Sequence, residues 1–390
     1  MYQIRTYNKI SNKGLSLFSQ ESYEVSESNE FPDAVILRSQ KLHDEVLPDT
    51  VIAVGRAGAG TNNIPTSDYT EKGIVVFNTP GANANAVKEL VLSGLLLGSR
   101  GIVQGRDFVN SLGHIADADE MNKLLEKEKK QFAGSELTGK TIGIIGLGAI
   151  GSLVADVALA LGMQVVGFDP ALSIEAAWKL SSQIRKMESI EELLAEVDFL
   201  SLHVPAIPAT KHLINRDSIN LMKDTATILN FARAAIVDSK AVVAALDAKQ
   251  LGQYICDFPE PSLIGHKKVI AVPHIGASTA EAEENCAVMA VSQIKDYLEN
   301  GNIRNSVNFP QTSMPRNGSN YRLTFTNKNI SGVLGHFLSI FADNNINVVD
   351  MVNKSRDDVA YNILDLDSKP SEAVFDILKN VEHVFNLRQL

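Results

Sequence analysis

The sequence is poor in cysteine and tryptophan, and it contains no long apolar run. Cys256 and Cys286 are its only cysteines, and it has a single tryptophan. Two cysteines exclude a disulfide framework and a cysteine-rich zinc module, so we expect no metal site and a reducing compartment. The most apolar helical stretch, residues 90–97, is far shorter than a bilayer span. The first ten residues lack the apolar core of a signal peptide, and a cytoplasmic protein with no membrane partner is therefore expected.

Basic charge is also in deficit. The 36 lysines and arginines are outnumbered by 46 acidic residues, which gives a formal net charge of -10. Such a field repels nucleic acid, so no nucleic-acid partner is expected, and an anionic metabolite would need locally concentrated cations. With 390 residues, of which 45% are hydrophobic, the chain is typical of a globular protein of two or three domains.

Two series of short apolar runs predict parallel α/β structure. The first third alternates such runs with turn signals at residues 34–37, 51–54 and 74–77. The second series predicts a doubly wound sheet with strands at residues 141–145, 164–168, 198–202, 226–230, 253–256 and 269–272. An amphipathic helix at residues 278–300 would return the chain to the first domain.

The last third changes character at residues 302–320, which are rich in Asn, Ser, Pro and Gly and predict a linker. Beyond it, the order strand, helix, strand, strand, helix, strand is typical of a ferredoxin-like βαββαβ domain. Its strands are expected at residues 321–326, 346–353, 359–366 and 383–387, and its helices at residues 332–344 and 372–379.

The strongest local motif is Gly146-x-Gly148-x-x-Gly151, with Ala149 and Ile150 between its last two glycines. A strand runs into this turn and a helix leaves it, as in dinucleotide-binding sites, where the helix N-terminus faces a pyrophosphate. Asp169 ends the next strand, where a carboxylate can bind ribose hydroxyls and would repel a 2′-phosphate. The motif therefore predicts NAD rather than NADP, with S-adenosylmethionine binding as the alternative reading.

Two further residues suit chemistry at a 2-hydroxy acid. Arg233, in Asn230-Phe-Ala-Arg233, and His274, in Pro273-His274-Ile-Gly276, each follow the carboxyl end of a predicted strand. Arginine can bind a carboxylate with two hydrogen bonds, and histidine can exchange a hydroxyl proton near neutral pH. Alone, either residue is more typical of a surface ion pair or a loop, but together they favour hydride transfer at C2.

These motifs, with the His203-Val204-Pro205 and Asp257-Phe-Pro-Glu260-Pro segments, resemble the D-isomer-specific 2-hydroxyacid dehydrogenase family over residues 34–300. The resemblance implies that Arg233 holds the substrate carboxylate and carbonyl, that His274 is the acid/base, and that Glu260 orients His274. Two departures are Ala234, where glycine is usual, and the short spacing from Asp257 to Glu260. Further cofactor contacts implied by the resemblance are His203, Val204, Pro205, Thr210, Ala232, Asp257, His274 and Gly276.

The resemblance also implies the domain plan. A Rossmann-type cofactor domain would span residues 98–274, and a discontinuous flavodoxin-like substrate domain would comprise residues 1–97 and about 275–305. A linker at 306–319 would lead to an ACT-like regulatory domain at 320–390. The substrate domain's glycine-rich loop would hold the substrate carboxylate through Arg56, Ala57, Gly58 and Asn62.

Within the family, the chain resembles members that carry an ACT domain and oxidise 3-phosphoglycerate to 3-phosphohydroxypyruvate, the first step of serine biosynthesis. Candidate phosphate ligands are Arg38, Ser39, Lys41, Arg56 and Lys88. A homodimer or homotetramer is expected, formed through the helix after Asn83. Two alternatives stay open: a glyoxylate or hydroxypyruvate reductase, and an NAD-sensing protein similar to co-repressors of this fold.

The resemblance of the C-terminal region to ACT domains implies L-serine as an effector. The turn Asn327-Lys-Asn329-Ile-Ser-Gly332 before an apolar helix resembles the ligand turn of ACT domains, and Asn347 matches a polar position on the next strand. Asn327, Asn329 and Asn347 are therefore the effector contacts that the resemblance implies. The alternative is a dimerisation domain that binds no ligand.

Overall fold

The computed structural model describes residues 1–316 and 321–390, which fall into two compact units. The first unit combines Met1–Asn83 with Ala280–Leu390, and the second is Ala84–Thr279. Residues 317–319 of the predicted linker and residue 320 of the predicted ACT-like domain lie outside the described residues.

The first unit begins with a five-stranded parallel sheet in the order β2-β1-β3-β4-β5, the order of flavodoxin-like folds. Its strands are β1 (Tyr2–Thr6), β2 (Tyr23–Ser26), β3 (Ala34–Leu37), β4 (Ala53–Arg56) and β5 (Val75–Phe77), and its helices are α1 (Asn12–Leu15) and α2 (Thr66–Glu71). Every residue of β3 is buried, as expected for a strand covered on both faces. The prediction missed β1 and β2, whose polar residues alternate with apolar ones.

The second unit contains a seven-stranded parallel sheet in the order β12-β11-β10-β9-β6-β7-β8, which confirms the Rossmann-type prediction. Its strands are β6 (Thr141–Ile145), β7 (Gln164–Phe168), β8 (Arg185–Lys186), β9 (Phe199–Leu202), β10 (Thr227–Asn230), β11 (Gln253–Cys256) and β12 (Val269–Ala271). Its α-helices are α3 (Ala84–Ser99), α4 (Ile102–Ser111), α5 (Ala118–Glu128), α6 (Ala149–Ala160), α7 (Ile174–Ala177), α8 (Ile190–Glu196), α9 (Arg216–Ile219) and α10 (Ser239–Asp247). Short 3-10 turns are η1 (Lys129–Phe132), η2 (Pro208–Thr210), η3 (Ala234–Ile236) and η4 (Pro261–Leu263).

The chain then returns to the first unit through α11 (Ala280–Asn300), a long helix whose buried face includes Ala290 and Ile294. The C-terminal part is a four-stranded antiparallel sheet in the order β14-β15-β13-β16, which confirms the ferredoxin-like prediction. Its elements are β13 (Tyr321–Lys328), α12 (Val333–Asp343), β14 (Val348–Arg356), β15 (Val359–Leu366), α13 (Glu372–Lys379) and β16 (Val384–Gln389).

The units differ from the predicted domain boundaries in two places. Helix α3, predicted in the substrate domain, groups with the second unit because Val87, Val91 and Leu95 are buried in a core shared with β6 and α6. The C-terminal sheet groups with the first unit because Tyr361 and Ile363 of β15 share one hydrophobic core with the N-terminal sheet and α11.

The segment predicted as a linker is irregular but packed. Ile303, Phe309 and Met314 are buried in the core of the first unit. Two asparagines satisfy backbone groups around it: the Asn302 Oδ1 accepts a hydrogen bond from the Met314 N–H at 3.0 Å, and the Asn308 Oδ1 accepts one from the Val76 N–H at 2.8 Å. Polar composition therefore marks an irregular backbone here rather than a free tether.

Neither a membrane span nor a metal cluster is found in the described part of the chain. No helix there combines the length and apolarity needed to cross a bilayer. Within residues 1–316 and 321–390, no group of three or more His, Cys, Asp or Glu side chains could hold a metal ion.

Candidate active site

The glycine turn after β6 leaves an open approach to the N-terminus of α6. Gly146 has a φ of 92°, and a Cβ there would lie 2.6 Å from the His203 carbonyl oxygen. A Cβ on Gly151 would lie 1.9 Å from the Gly146 carbonyl oxygen, so the helix can pack on the turn only with glycine. Gly148 caps α6 without a side-chain hydrogen bond and faces open space. Ala149 and Ile150 begin the helix, so their N–H groups are suited to a pyrophosphate.

Asp169 lies one residue beyond β7 and also shapes this turn. Its Oδ2 accepts a hydrogen bond from the Leu147 N–H at 2.8 Å, and its Oδ1 accepts one from the Ala171 N–H at 2.9 Å. A carboxylate oxygen can accept more than one hydrogen bond, so Asp169 can bind ribose hydroxyls while it holds the turn.

The segment after β9 borders the same turn. The His203 ring Nε2 lies 2.8 Å from the Ser201 Oγ, and burial lowers the pKa of His203 to about 4, so this imidazole is neutral. The Val204 side chain lies beside Gly146, because a Cβ on that glycine would be only 3.0 Å from it. The Thr210 hydroxyl donates to the Pro205 carbonyl and accepts a hydrogen bond from the Ile207 N–H, which stabilises the following loop.

Arg233 follows β10 and is held by a buried asparagine that the sequence-based site omits. The Asn230 Nδ2 donates to the Arg233 carbonyl at 2.9 Å, and its Oδ1 accepts a hydrogen bond from the Ala232 N–H at 3.2 Å. The Arg233 side chain is exposed, its guanidinium carbon lies 5.7 Å from the centre of the Phe258 ring, and one Nη donates to the Ala232 carbonyl. Asn230 therefore fixes the backbone that presents the guanidinium.

His274 packs on the same aromatic ring. The centres of the His274 and Phe258 rings are 4.6 Å apart, with the planes inclined by 47°. His274 has a φ of 54°, a left-handed conformation that few histidines adopt, and its N–H donates to the Asp257 carbonyl at 3.0 Å. Phe258 thus contacts both residues expected to act on the substrate, although an aromatic residue inside a loop motif gave no functional signal in the sequence.

The buried Asp257 carboxylate holds the backbone of this loop. Its side chain is only 1% exposed, and its two oxygens accept hydrogen bonds from the Ile275 N–H at 2.6 Å and the Gly276 N–H at 2.8 Å. A Cβ on Gly276 would lie 2.9 Å from the Asp257 Oδ2, so glycine permits this contact. The Asp257 carboxylate thus binds the backbone after His274, and the cofactor contact that the resemblance implies for Asp257 stays a prediction.

Glu260, expected to orient His274, forms neither a hydrogen bond nor an ion pair with it in the described part of the chain. Glu260 immediately precedes η4. Burial raises the pKa of the Cys256 thiol to about 11, and the nearby Asp257 and Glu260 carboxylates add to this shift. The Glu260 pairing implied by the resemblance therefore stays a prediction.

The glycine-rich loop of the first unit follows β4. Ala57 N–H donates to the Leu37 carbonyl, Thr79 N–H donates to the Gly58 carbonyl, and the Asn78 side chain donates to the Ala59 carbonyl. Arg56 ends β4 and its guanidinium lies beside Gly58, where a Cβ would come within 2.4 Å of an Arg56 Nη. Asn62 is exposed.

The neighbouring Asn63, which the prediction did not select, is buried and ties this loop to the one after β3. Its Nδ2 donates to the Gln40 carbonyl at 2.7 Å. Adjacent asparagines give no sequence signal for which one faces inward, so only the structure separates Asn62 from Asn63.

The candidate phosphate ligands are divided between the two units. Arg38 directly follows β3 and forms an ion pair with Glu283 of α11, with 2.7 Å between nitrogen and oxygen. The Ser39 N–H donates to the Asn8 side chain at 3.0 Å, and Lys41 is exposed. Lys88 lies on α3 in the second unit, where it pairs with Glu89 at 3.5 Å.

The three candidate effector asparagines do not form one site within a chain. Asn327 is buried; its Oδ1 accepts a hydrogen bond from Asn362 and its Nδ2 donates to the Lys328 carbonyl. Asn329 follows β13 and donates to the Asp357 carbonyl, at the end of the sheet where β14 meets β15. Asn347 precedes β14 and lies at the opposite end of that strand, roughly 30 Å away for nine extended residues.

Comparison with known proteins agrees with this geometry. Residues 107–276 match the model of the NAD binding domain of D-isomer specific 2-hydroxyacid dehydrogenases. A relative from Haemophilus influenzae is 34% identical over 87% of this chain and 81% of its own length. The chain therefore belongs to the D-isomer specific 2-hydroxyacid dehydrogenase family, and residues 107–276 form its NAD-binding domain.

The similar proteins within the family are more specific. The Haemophilus relative is a D-3-phosphoglycerate dehydrogenase, and so is a relative from Synechocystis sp. that is 37% identical over 71% of this chain. The chain spans 49% of the length of the Synechocystis protein, so the two are not equivalent in extent. A solved NAD⁺-bound 3-phosphoglycerate dehydrogenase from Entamoeba histolytica matches with a TM-score of 0.62 and 27% identity, over 79% of this chain and 98% of that one.

Proposed function

We propose that this chain oxidises 3-phosphoglycerate to 3-phosphohydroxypyruvate with NAD, the first step of serine biosynthesis. The observation that carries the proposal is the placement of Arg233 and His274 on one ring, that of Phe258, at the carboxyl edge of an NAD-binding sheet. In an open α/β sheet this edge is where ligands bind. The 3-phosphoglycerate dehydrogenases among its relatives support the choice of substrate.

The chain supplies a cation and a proton acceptor for this reaction. The Arg233 guanidinium binds the substrate carboxylate and polarises the C2 oxygen, and it stays charged at any working pH. The His274 imidazole takes the proton of the C2 hydroxyl as the carbonyl forms. Bound NAD⁺ supplies the acceptor for the hydride that leaves C2. Asn230 and Asp257 hold the Arg233 and His274 backbones, so both groups are oriented before substrate arrives.

The test is turnover of 3-phosphohydroxypyruvate with NADH in wild type, Arg233→Ala and His274→Ala. Each substitution should lower kcat/KM about a hundredfold or more while NADH binding, followed by cofactor fluorescence, persists. A hydroxypyruvate or glyoxylate reductase would instead prefer the unphosphorylated keto acid. An NAD-sensing protein would bind NADH yet turn over neither compound. Near-wild-type activity of both variants would contradict the assigned reacting centre.

We further propose L-serine as an effector of the C-terminal domain, bound through Asn329 and Asn347 and not through Asn327. The Asn327 amide is already engaged by Asn362, so a ligand would have to break a buried hydrogen bond to reach it. Because Asn329 and Asn347 lie at opposite ends of β14, their use in one site requires two antiparallel copies of that strand. The free N–H groups of α12 after Gly332 are suited to the serine carboxylate.

Calorimetry and initial rates with millimolar serine test this on the full chain, with Asn329→Ala as the variant. A truncation near Pro310 is unsuitable because it would uncover the core that Tyr361 and Ile363 share with the N-terminal sheet. Serine must bind one conformational state better than another to inhibit. The absence of both binding and inhibition would leave a domain without effector function.

A homodimer or homotetramer is proposed as the assembly. The contact was expected through α3, but the apolar face of α3 is packed in its own unit, so we propose α4 and α5 instead, in which no residue is buried. Ile102 and Val109 on α4 are about half exposed. Light scattering should give a mass of at least two chains.

A cytoplasmic location is also proposed, because both cysteines are unpaired and buried, as is usual in a reducing compartment.

A further inference from the structure

One of the candidate phosphate ligands, Arg38, is paired with a carboxylate. The Arg38 Nη1 and the Glu283 Oε1 are 2.7 Å apart, and both side chains are partly exposed. Glu283 lies in the first turn of α11, where a negative charge is favoured by the helix dipole. The helix dipole therefore favours the Glu283 carboxylate at this place beside Arg38.

The ion pair lies at the carboxyl edge of the N-terminal sheet, beside the glycine-rich loop. Leu37 of β3 and Arg56 of β4 are partners in the parallel ladder, so Arg38 directly follows the residue opposite Arg56. The Cys286 thiol, one turn after Glu283, shares the same surroundings. Burial raises its pKa, while the Thr79 hydroxyl and the nearby Arg38 and Arg56 oppose the rise. Arg38, Arg56 and Glu283 thus form one local charge cluster.

A phosphate monoester and Glu283 compete for the Arg38 guanidinium. The phosphate carries nearly two negative charges at neutral pH and binds guanidinium in the same bidentate manner as a carboxylate. A substrate that reaches Arg38 must displace Glu283 or accept its repulsion at close range. A substrate with a neutral hydroxyl at C3 neither needs to displace Glu283 nor is repelled by it.

We propose that Glu283 is a specificity-determining residue that acts as the internal counter-ion of Arg38 and weakens the binding of phosphorylated substrate without affecting unphosphorylated 2-keto acids. This inference rests on the proposed function, in which the substrate carries a phosphate. It adds that Arg38 binds this phosphate. Glu283 touches neither C2 nor the cofactor in this scheme, so it sets KM and leaves the chemical step unchanged.

The experiment compares Glu283→Gln with Glu284→Gln, using 3-phosphohydroxypyruvate and hydroxypyruvate as alternative substrates with NADH. Glu284 is the matched control because it is the next residue of α11 and pairs with Lys13 instead, at 2.9 Å. Glu283→Gln should lower KM for the phosphorylated substrate about three- to tenfold with kcat unchanged. Its KM for hydroxypyruvate should change less than about twofold, and Glu284→Gln should match wild type with both substrates. Inorganic phosphate should inhibit Glu283→Gln at a correspondingly lower concentration.

A double substitution identifies the partner. In an Arg38→Gln background, Glu283→Gln should change KM clearly less than it does with Arg38 present, because the cation for which Glu283 and the phosphate compete is gone and only their mutual repulsion is left. An unchanged or raised KM for the phosphorylated substrate in the single variant would overturn the inference, since Glu283 would then be inert or would orient Arg38. Equal changes with both substrates would overturn it as well. Turnover of hydroxypyruvate without turnover of 3-phosphohydroxypyruvate in wild type would instead refute the proposed function.

Discussion

At the scale of single residues, the candidate site depends on side chains that hold backbone rather than touch substrate. Asn230 is fully buried and bonds to both sides of the Arg233 turn, while Asp257 does the same for the turn after His274. A buried amide or carboxylate with all its partners in place orients a neighbouring group at little entropic cost when substrate binds. The two exposed residues expected to do the chemistry are thus placed by two buried ones.

Asn230 gives the first prediction. Asn230→Ala removes the hydrogen bonds to the Arg233 carbonyl and the Ala232 N–H, and it leaves the Tyr254 hydroxyl without its Asn230 partner. We expect kcat/KM to fall about ten- to a hundredfold through a less ordered Arg233, with NADH affinity nearly unchanged. Asn230→Asp keeps the acceptor for Ala232 and should fall less. Steady-state kinetics with NADH titration checks this; equal losses in both variants would mean that the acceptor contact is unimportant.

Asp169 gives the second prediction. Asp169→Asn keeps an oxygen acceptor for the Leu147 N–H but removes the charge that would repel a 2′-phosphate. We expect the ratio of kcat/KM for NADH over NADPH to fall about tenfold, mainly through a lower KM for NADPH. Wild type should prefer NADH. If Asp169→Asn and Asp169→Ala lose NADH activity alike and gain none with NADPH, the carboxylate only holds the turn.

At the scale of elements, sequence patterns located those that carry strong local signals. Strands β3, β6, β7, β11 and β15 and helix α13 have the predicted bounds, because buried apolar runs next to glycine or capping residues are local features. Glycine turns are similarly readable, since only glycine fits at Gly151. The sequence could not predict the hydrogen bonds of the Asp257 carboxylate, because its partners are backbone N–H groups eighteen and nineteen residues later.

The loop from β11 to His274 gives the third prediction. Asp257→Asn replaces an acceptor of two backbone N–H groups by an amide that can accept with one atom only, inside a site that is closed to water. We expect a lower melting temperature and a loss of kcat of about tenfold or more, because the left-handed backbone of His274 is no longer fixed. Thermal unfolding and kinetics on one preparation check both effects. Full activity would show that the His274 loop holds without this carboxylate.

At the scale of the whole molecule, the C-terminal sheet is built into the first unit rather than tethered to it. Buried asparagines and a shared apolar core tie residues 302–316 and β15 to the N-terminal sheet and α11. Arg388 of β16 donates to the Tyr297 and Leu298 carbonyls at the end of α11, and its guanidinium stacks 4.6 Å above the Tyr297 ring. Composition predicted a linker here because long-range burial leaves no trace in local sequence.

The buried pair of Arg322 and Asp365 gives the last prediction. Arg322 is fully buried, and its guanidinium donates to both Asp365 oxygens at 2.7 and 2.9 Å and to the carbonyls of Asn300, Met314 and Pro315. Asp365→Ala leaves this cation buried without a counter-ion and should lower the free energy of unfolding by about 3–5 kcal/mol. Asp376→Ala, at an exposed position on α13, is the control and should change it by less than about 0.5 kcal/mol. Denaturant unfolding, followed by far-UV circular dichroism, measures both. Because β15 shares its core with the N-terminal sheet, the loss should appear in the transition of the whole first unit; a separate early transition confined to the C-terminal sheet would show that the two parts fold independently.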